Sequence, residues 1–362
     1  MISGLVLQGG GALGAFELGV IERLLEVGIL PDVVSGVSIG AINASVLCGC
    51  RHPEPAVALR ALWADLTTPG LPPPFDFVNP RLSVLGNPGM YMPRIDYLNM
   101  LAWTSLYDTT PLRLTLERHV DFRKLGPANF RQDPQRRAPR LILTATNLRT
   151  GKLDKFDSAQ IQLTPAHVAA SGSLPPSFPR TQATAPPEDG GGEQPYWDGG
   201  LFDNTPLSKV IHALEESGDP HKTMYVVNLF PSEAPLPQNL AEVVSRMMTL
   251  AFANKAEKDL RRAQQTTEII RFVEELDRLM QRHAELRPLA QHPGYQIVKQ
   301  YAAPIQIVEI TNADIGGAGD FSARGIERRR KAGYQAAAEK IVAAPLQRPS
   351  PPPSLPSPPP GS

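Results

Sequence analysis

The residues Gly36-Val37-Ser38-Ile39-Gly40 spell G-x-S-x-G. This spacing holds a serine on a sharp strand-to-helix turn with its hydroxyl exposed, because side chains two positions before and after would collide there. Val33 and Val34 supply an apolar strand before it, and Ala41 to Leu47 a small-residue helix after it. The helix N-terminus then places backbone N–H groups close to any negative charge that develops at Ser38. The chemistry indicated is nucleophilic attack on a carbonyl.

A second run, Gln8-Gly9-Gly10-Gly11-Ala12-Leu13-Gly14, lies between the first strand and the first helix. Amides in such a loop converge on a concavity that holds an anion, either a phosphate or the oxyanion of acyl transfer. Gly9, Gly11 and Gly14 also satisfy G-x-G-x-x-G, so a nucleotide-binding α/β module is a rival from another class. That fold wants an acidic residue closing the second strand. Here the second strand ends in Ser35 and runs into the serine turn.

A serine nucleophile needs a base. The seven histidines are His52, His119, His167, His212, His221, His283 and His292, and none sits in a glycine-rich or strand-end motif. His221 and His292 are the two candidates for a three-residue triad. Tyr196-Trp197-Asp198-Gly199-Gly200 differs, since it presents an aspartate at the end of a short apolar strand on a tight turn. Asp198 could take the Ser38 proton directly; the alternative is an aspartate that only caps its own turn.

Positioning these motifs calls for alternating strands and helices. Gly4 to Gln8, Val33 to Ser35, Arg140 to Asn147, Lys152 to Asp157, Thr223 to Phe230 and Ile305 to Ile310 read as strands. Leu13 to Val27, Ile39 to Leu47, Glu54 to Leu66, Thr164 to Ser171 and Ser322 to Ala343 read as helices. The pattern predicts a three-layer α/β/α sandwich with a mainly parallel central sheet. Prolines 69, 72, 73, 74, 80, 88 and 93 break any long helix between Thr68 and Tyr107. That stretch is rich in aromatic and apolar residues, and so is read either as a loop packed on the core or as a cap beside a substrate site.

One catalytic domain is expected over residues 1–344, with its motifs within 4–215 and an additional charged helical region over about 237–290. In that region Met247, Met248, Leu250 and Phe252 suit core packing or a dimer seam. Residues 345–362 form a Pro/Ser-rich tail expected to be disordered.

Of 362 residues, 42% are hydrophobic, enough to bury a sizeable core; 36 basic residues balance 36 acidic ones. No basic excess marks a nucleic-acid footprint. Cys48 and Cys50 have neither disulfide nor zinc spacing, and no ligand cluster for a metal is seen. They read as reduced, buried thiols. The first basic residue is Arg23, too late for a secretory n-region, and Val33 to Cys50 is too polar for a membrane span. A cytoplasmic protein is expected, with peripheral membrane contact left open. Arg324, Arg328, Arg329, Arg330 and Lys331 form a basic cluster, read as a solvated helix face or a contact for anionic headgroups.

Taken together, the three motifs resemble the patatin-like phospholipase family. Gly9 to Gly14 looks like its oxyanion loop, Gly36 to Gly40 its nucleophile elbow, and Asp198-Gly199-Gly200 its catalytic aspartate motif. Ala170 to Pro179 resembles the segment before the aspartate strand, and Phe321-Ser322 the family's C-terminal end. The likeness covers residues 4 to 215 well and 223 to 343 loosely. It implies a Ser38–Asp198 dyad, oxyanion donors from Gly10 to Ala12, no cofactor, and a fatty-acyl ester substrate cleaved through an acyl-enzyme. Leu13 is a departure, standing where many members carry Arg or Lys. A catalytically silent, lipid-binding member is the remaining alternative.

Overall fold

In the computed structural model, residues 1–132, 139–219, 221–230, 275–299, 305–313 and 317–341 are described, with single positions between 236 and 273. One sheet organises them. Five strands run parallel in the order β10 (Ile305–Thr311), β9 (Lys222–Asn228), β1 (Ile2–Leu7), β2 (Val33–Gly36) and β5 (Arg140–Asn147). Three antiparallel strands complete it: β6 (Leu153–Asp157), β8 (Glu193–Asp198) and β7 (Thr181–Thr184). A separate two-stranded ribbon joins β3 (Met92–Pro93) to β4 (Tyr107–Asp108).

Strand β5 is the hinge between the two halves of the sheet. Its first four residues pair with β2, and Ala145 to Asn147 then pair with Tyr196 to Asp198 of β8. The short β2 ends at Gly36, so its place beside β5 passes to β8. Ser38 and Asp198 are thereby delivered to neighbouring positions from opposite chain directions.

Alternation along the strands covers both faces. Leu5 and Leu7 join the larger core with α1 (Ala15–Glu26), α2 (Ile39–Gly49) and α3 (Pro55–Asp65). Val6, Val33 and Ile142 point the other way, onto α7 (Leu207–Glu216) through Leu207, Val210 and Leu214. Strands buried on both faces read as continuous apolar runs, as β1 and β9 do.

Besides α1, α2, α3 and α7 there are α4 (Thr110–His119), α5 (Pro127–Gln132), α6 (Pro165–Ser171), α8 (Pro293–Lys299) and α9 (Ala323–Lys340). The sandwich with helices on both sides is as the sequence predicts. Helices α4 and α5 and strand β7, unassigned from sequence, are short or flanked by prolines. Val120, one residue past α4, makes an isolated bridge with Cys50.

The Pro-rich stretch after α3 winds through 3-10 turns at Phe75–Leu85 and Tyr97–Ala102. Described positions between 243 and 282 are helical, and Leu250 among them is exposed. Met247, Met248, Phe252 and the 345–362 tail lie outside the described residues. Cys48 and Cys50 are free and buried. No helix of the described residues is long and apolar enough to cross a membrane.

Candidate active site

Ser38 occupies φ 54°, ψ −122° and is the single non-glycine residue with positive φ among the described residues. Such a conformation costs about 1–3 kcal/mol and persists only when its surroundings over-determine it. They do so here. A Cβ on Gly36 would lie 2.4 Å from the Gly40 carbonyl oxygen, and one on Gly40 would lie 2.6 Å from that of Leu7. The Ser38 N–H donates to the carbonyl of Ser171 at 3.1 Å and lies 3.2 Å from its Oγ. Ser38 itself is half-buried, reachable where Ile39 and Val37 are not.

Asp198 closes β8 and is 2% exposed. Its Oδ1 accepts the Gly200 N–H at 2.7 Å, its own N–H donates to Ser173 O at 3.0 Å, and its carbonyl accepts from Thr146 Oγ1 at 2.9 Å. Burial pushes its carboxyl up to about 7, against the Gly200 N–H and a hydrogen-bonding interaction with the Ser38 hydroxyl, which favour the anion. A base that titrates near neutrality and faces a strained serine can take that serine's proton. No histidine is hydrogen-bonded to Ser38 or Asp198 among the described residues. His167 is buried, but it caps α6 and contacts Thr184 O; His221 and His292 are exposed.

The glycine loop lies against the serine. A Cβ on Gly9 would meet Ser38 Cβ at 2.9 Å and Asn204 Oδ1 at 2.5 Å. The three expected donors, Gly10 to Ala12, do not behave alike. The Ala12 N–H donates to Ala318 O at 2.7 Å, and Leu13 N–H turns back to Gly10 O at 3.1 Å. Gly10 and Gly11 are half-buried, and no hydrogen bond within the described residues engages their amides. Gly14 packs on Ile39, where a Cβ would sit 2.6 Å from its side chain. Gly14 therefore joins the loop to the elbow helix.

Sequence reasoning missed several supporting groups. Asn204 is buried and donates from Nδ2 to Gly9 O at 3.1 Å, bridging the aspartate turn to the glycine loop. Gln8 links Thr205 Oγ1 at 2.5 Å to the Leu229 N–H at 2.6 Å, tying β1, β9 and the turn before α7. A Cβ on Gly172 would lie 4.0 Å from Ser38 Oγ, so this residue forms a wall beside the nucleophile. Behind the loop, buried Glu17 accepts from Asn43 Nδ2 at 2.9 Å, and Asn43 accepts from Trp63 Nε1 at 2.9 Å. Burial pushes the Glu17 carboxyl well above its ordinary range. An asparagine after an aspartate–glycine turn was the one such group with a signal in the sequence; the others become adjacent only on folding.

Leu13, the departure, is buried in the main core, so no charge stands at that point of the loop. The basic cluster of α9 is partly neutralised. Arg330 bonds Glu22 and Glu327, Lys331 lies 3.4 Å from Glu327, and Arg329 is buried. Arg329 and Arg330 thus turn to partners within the fold, while Lys331 stays on the solvated face that the first reading gives.

An α/β sandwich carrying a strained serine elbow, a facing buried aspartate and a glycine loop defines a class of protein. The patatin-like phospholipase family model matches residues 5–211. The chain belongs to the patatin-like phospholipase family. It is 40% identical over 65 residues to neuropathy target esterase sws of Drosophila melanogaster, covering 18% of this chain and 5% of that protein. It is 52% identical over 50 residues to triacylglycerol lipase 4 of Saccharomyces cerevisiae, covering 14% of this chain and 5% of that one. The matched stretch thus spans about a twentieth of those relatives. A solved structure, VipD from Legionella pneumophila, aligns with TM-score 0.39 and 16% identity over 93% of this chain and 66% of its own.

Proposed function

We propose that the chain is a lipid acyl hydrolase that cleaves fatty-acyl esters with a Ser38–Asp198 dyad. The observation that carries this reading is the pairing of a strained, half-buried Ser38 with a buried carboxyl held near pH 7. In the first step Asp198 accepts the Ser38 proton while Oγ bonds to the ester carbonyl carbon. The carbonyl electron pair moves to its oxygen, which the amides of Gly10 and Gly11 receive. Collapse breaks the bond to the leaving alkoxide, which takes the proton from Asp198. Water, deprotonated by the same carboxylate, then attacks the acyl-enzyme, and the fatty acid leaves as Ser38 recovers its proton. The donor set expected from sequence narrows to Gly10 and Gly11, because the Ala12 N–H is already bound.

Membrane contact is assigned to the Pro-rich segment. Phe75, Phe77, Val84, Leu85, Ile95, Leu98 and Leu101 are exposed there, the last two completely. Its four charged residues, Asp76, Arg81, Arg94 and Asp96, cancel, and Arg94 is paired with Asp96. Backbone bonds from Leu106 to Pro176 O and Tyr107 to Ser177 O attach it next to the Gly172 wall. A face so apolar and net-neutral suits zwitterionic lipid.

The test is fluorophosphonate labelling with p-nitrophenyl ester turnover, for wild type, Ser38→Ala and Asp198→Asn. Labelling that Ser38→Ala abolishes, with turnover lost in both variants, supports the dyad. Labelling that survives Ser38→Ala removes it in favour of another nucleophile; a wild type inert in both assays removes it and leaves lipid binding without catalysis. Leu98→Asp with Leu101→Asp should weaken sedimentation with phosphatidylcholine vesicles while soluble-ester turnover is kept; unchanged sedimentation removes the membrane assignment.

A further inference from the structure

The glycine loop is held from outside by a segment far away in sequence. Ala318 O accepts the Ala12 N–H at 2.7 Å. The same oxygen stands 2.5 Å from where a Cβ on Gly11 would be, and Gly11 has φ +56°. A side chain at position 11 is therefore excluded both by this approach and by the left-handed backbone. Ala318 belongs to the turn Gly317–Asp320, and Arg329 fixes both ends of that turn. Its Nη2 donates to Gly317 O at 3.1 Å, its Nη1 to Asp320 O at 2.8 Å, and its guanidinium pairs with the Asp320 carboxylate at 3.4 Å. Arg329 is 0% exposed. Asp320 Oδ1 in turn accepts from the N–H and Oγ of Ser322, which caps α9. Ser83 Oγ donates to Gly319 O.

We infer that Arg329 is a positioning residue for the oxyanion loop, acting through the Ala318 carbonyl. The physical argument is one of direction. An amide donor stabilises an oxyanion only if aimed at it before the reaction begins, and losing one such donor costs about 10²–10³ in rate. The Gly11–Ala12 peptide is pinned through its own N–H by Ala318 O, which anchors the loop directly after the Gly10–Gly11 peptide that carries the Gly11 amide. A planar guanidinium bridges two carbonyls and a carboxylate at once; a lysine ammonium on a flexible stem cannot reproduce that fork. The placement of the turn rests on the described residues alone. Its catalytic consequence rests on the hydrolase reading above.

The experiment measures hydrogen exchange at the Ala12 amide together with soluble-ester kinetics. The proteins are wild type, Arg329→Lys, Arg329→Ala and the milder Asp320→Asn, which keeps the Arg329 bonds to the Gly317 and Asp320 carbonyls. Expected are faster Ala12 exchange in the variants and kcat down about tenfold to a hundredfold. KM should change less than threefold, with partial recovery of Arg329→Ala by added guanidinium. Where Arg329→Ala fails to fold, Arg329→Lys and Asp320→Asn carry the same comparison. Wild-type exchange at Ala12 in folded variants overturns the clamp, whatever the activity. Faster exchange with unchanged kcat, or a loss confined to KM, overturns its catalytic role. A wild type without turnover sinks the dyad reading, and the clamp then stands or falls on the exchange data.

Discussion

Two aspartates end strands that both pair antiparallel with β5 and have become different groups. Asp157 closes β6 opposite Ile142 of β5; Asp198 closes β8 opposite Ala145 of the same strand. Both side chains are buried. Burial pushes both carboxyls up, but for Asp157 this is outweighed. Arg140 donates from Nη2 at 2.7 Å and from Nε at 3.0 Å, the Ala159 N–H adds a third bond, and Lys155 lies 3.3 Å away. Its carboxyl ends below the usual range. Asp198 has no Lys or Arg partner among the described residues, and the Gly200 N–H and Ser38 are too little to offset burial. The lesson is that burial alone does not make a carboxylate reactive. Withholding a cation does, and this leaves the proton free to move.

The largest effect that bears on this contrast is Ser38→Ala, expected to lower turnover about 10⁵-fold or more by the usual cost of losing a serine nucleophile. Single-turnover ester kinetics check it. Asp198→Asn should cost about 10²–10⁴, the span of general-base contributions, whereas Asp157→Asn should leave turnover of folded protein within about threefold. Equal losses in the two would erase the distinction.

Arg140→Ala tests the other side. It leaves Asp157 buried with Lys155 alone and should lower unfolding stability by about 3 kcal/mol, read from urea midpoints. Because the folded Asp157 carboxyl lies below its unfolded value, the stability it contributes is present at neutral pH. That contribution is lost as acid protonates the folded form, so wild type and variant should converge toward acid.

The pH profile sharpens the comparison further. With Asp198 near 7, kcat/KM on a soluble ester should rise with pH around that point and, one unit under it, stand about tenfold below its alkaline plateau. A flat profile from pH 6 to 8 contradicts the assignment of Asp198 as base. The smallest effect concerns stability. A carboxyl whose folded value is raised contributes stability at low pH that disappears as pH climbs through about 7. Asp198→Asn should therefore gain on wild type progressively between about pH 4 and 7 and keep that gain above it. Thermal melts at pH 5 and 8.5 measure the difference.

Much of this was legible beforehand where the signal is local. G-x-S-x-G with flanking valines and small residues specifies a strand, a sharp turn and a helix within one short stretch. The glycine run is likewise local, because Gly11 needs its left-handed backbone whatever packs nearby. Strand β7 and helix α4 were not legible. Thr181–Thr184 has weak apolar content and is a strand because it pairs with β8. Nor did the sequence distinguish the amides of the glycine loop: Ala12 looks as available as Gly10 until Ala318 arrives from more than three hundred residues away.

By itself, then, the sequence determined the short-range backbone that presents the serine elbow, the glycine loop and the aspartate turn. Steric limits around glycine and the strand-to-helix alternation act over a few residues. Only the tertiary structure decided that Asp198 faces Ser38, that β8 takes over the edge of β5 where β2 ends, and that Arg140 neutralises Asp157 and leaves Asp198 alone. Those outcomes depend on which cation, carbonyl or strand edge comes within about 3 Å, where hydrogen bonds and ion pairs gain their strength. That distance is fixed by packing and not by position along the chain.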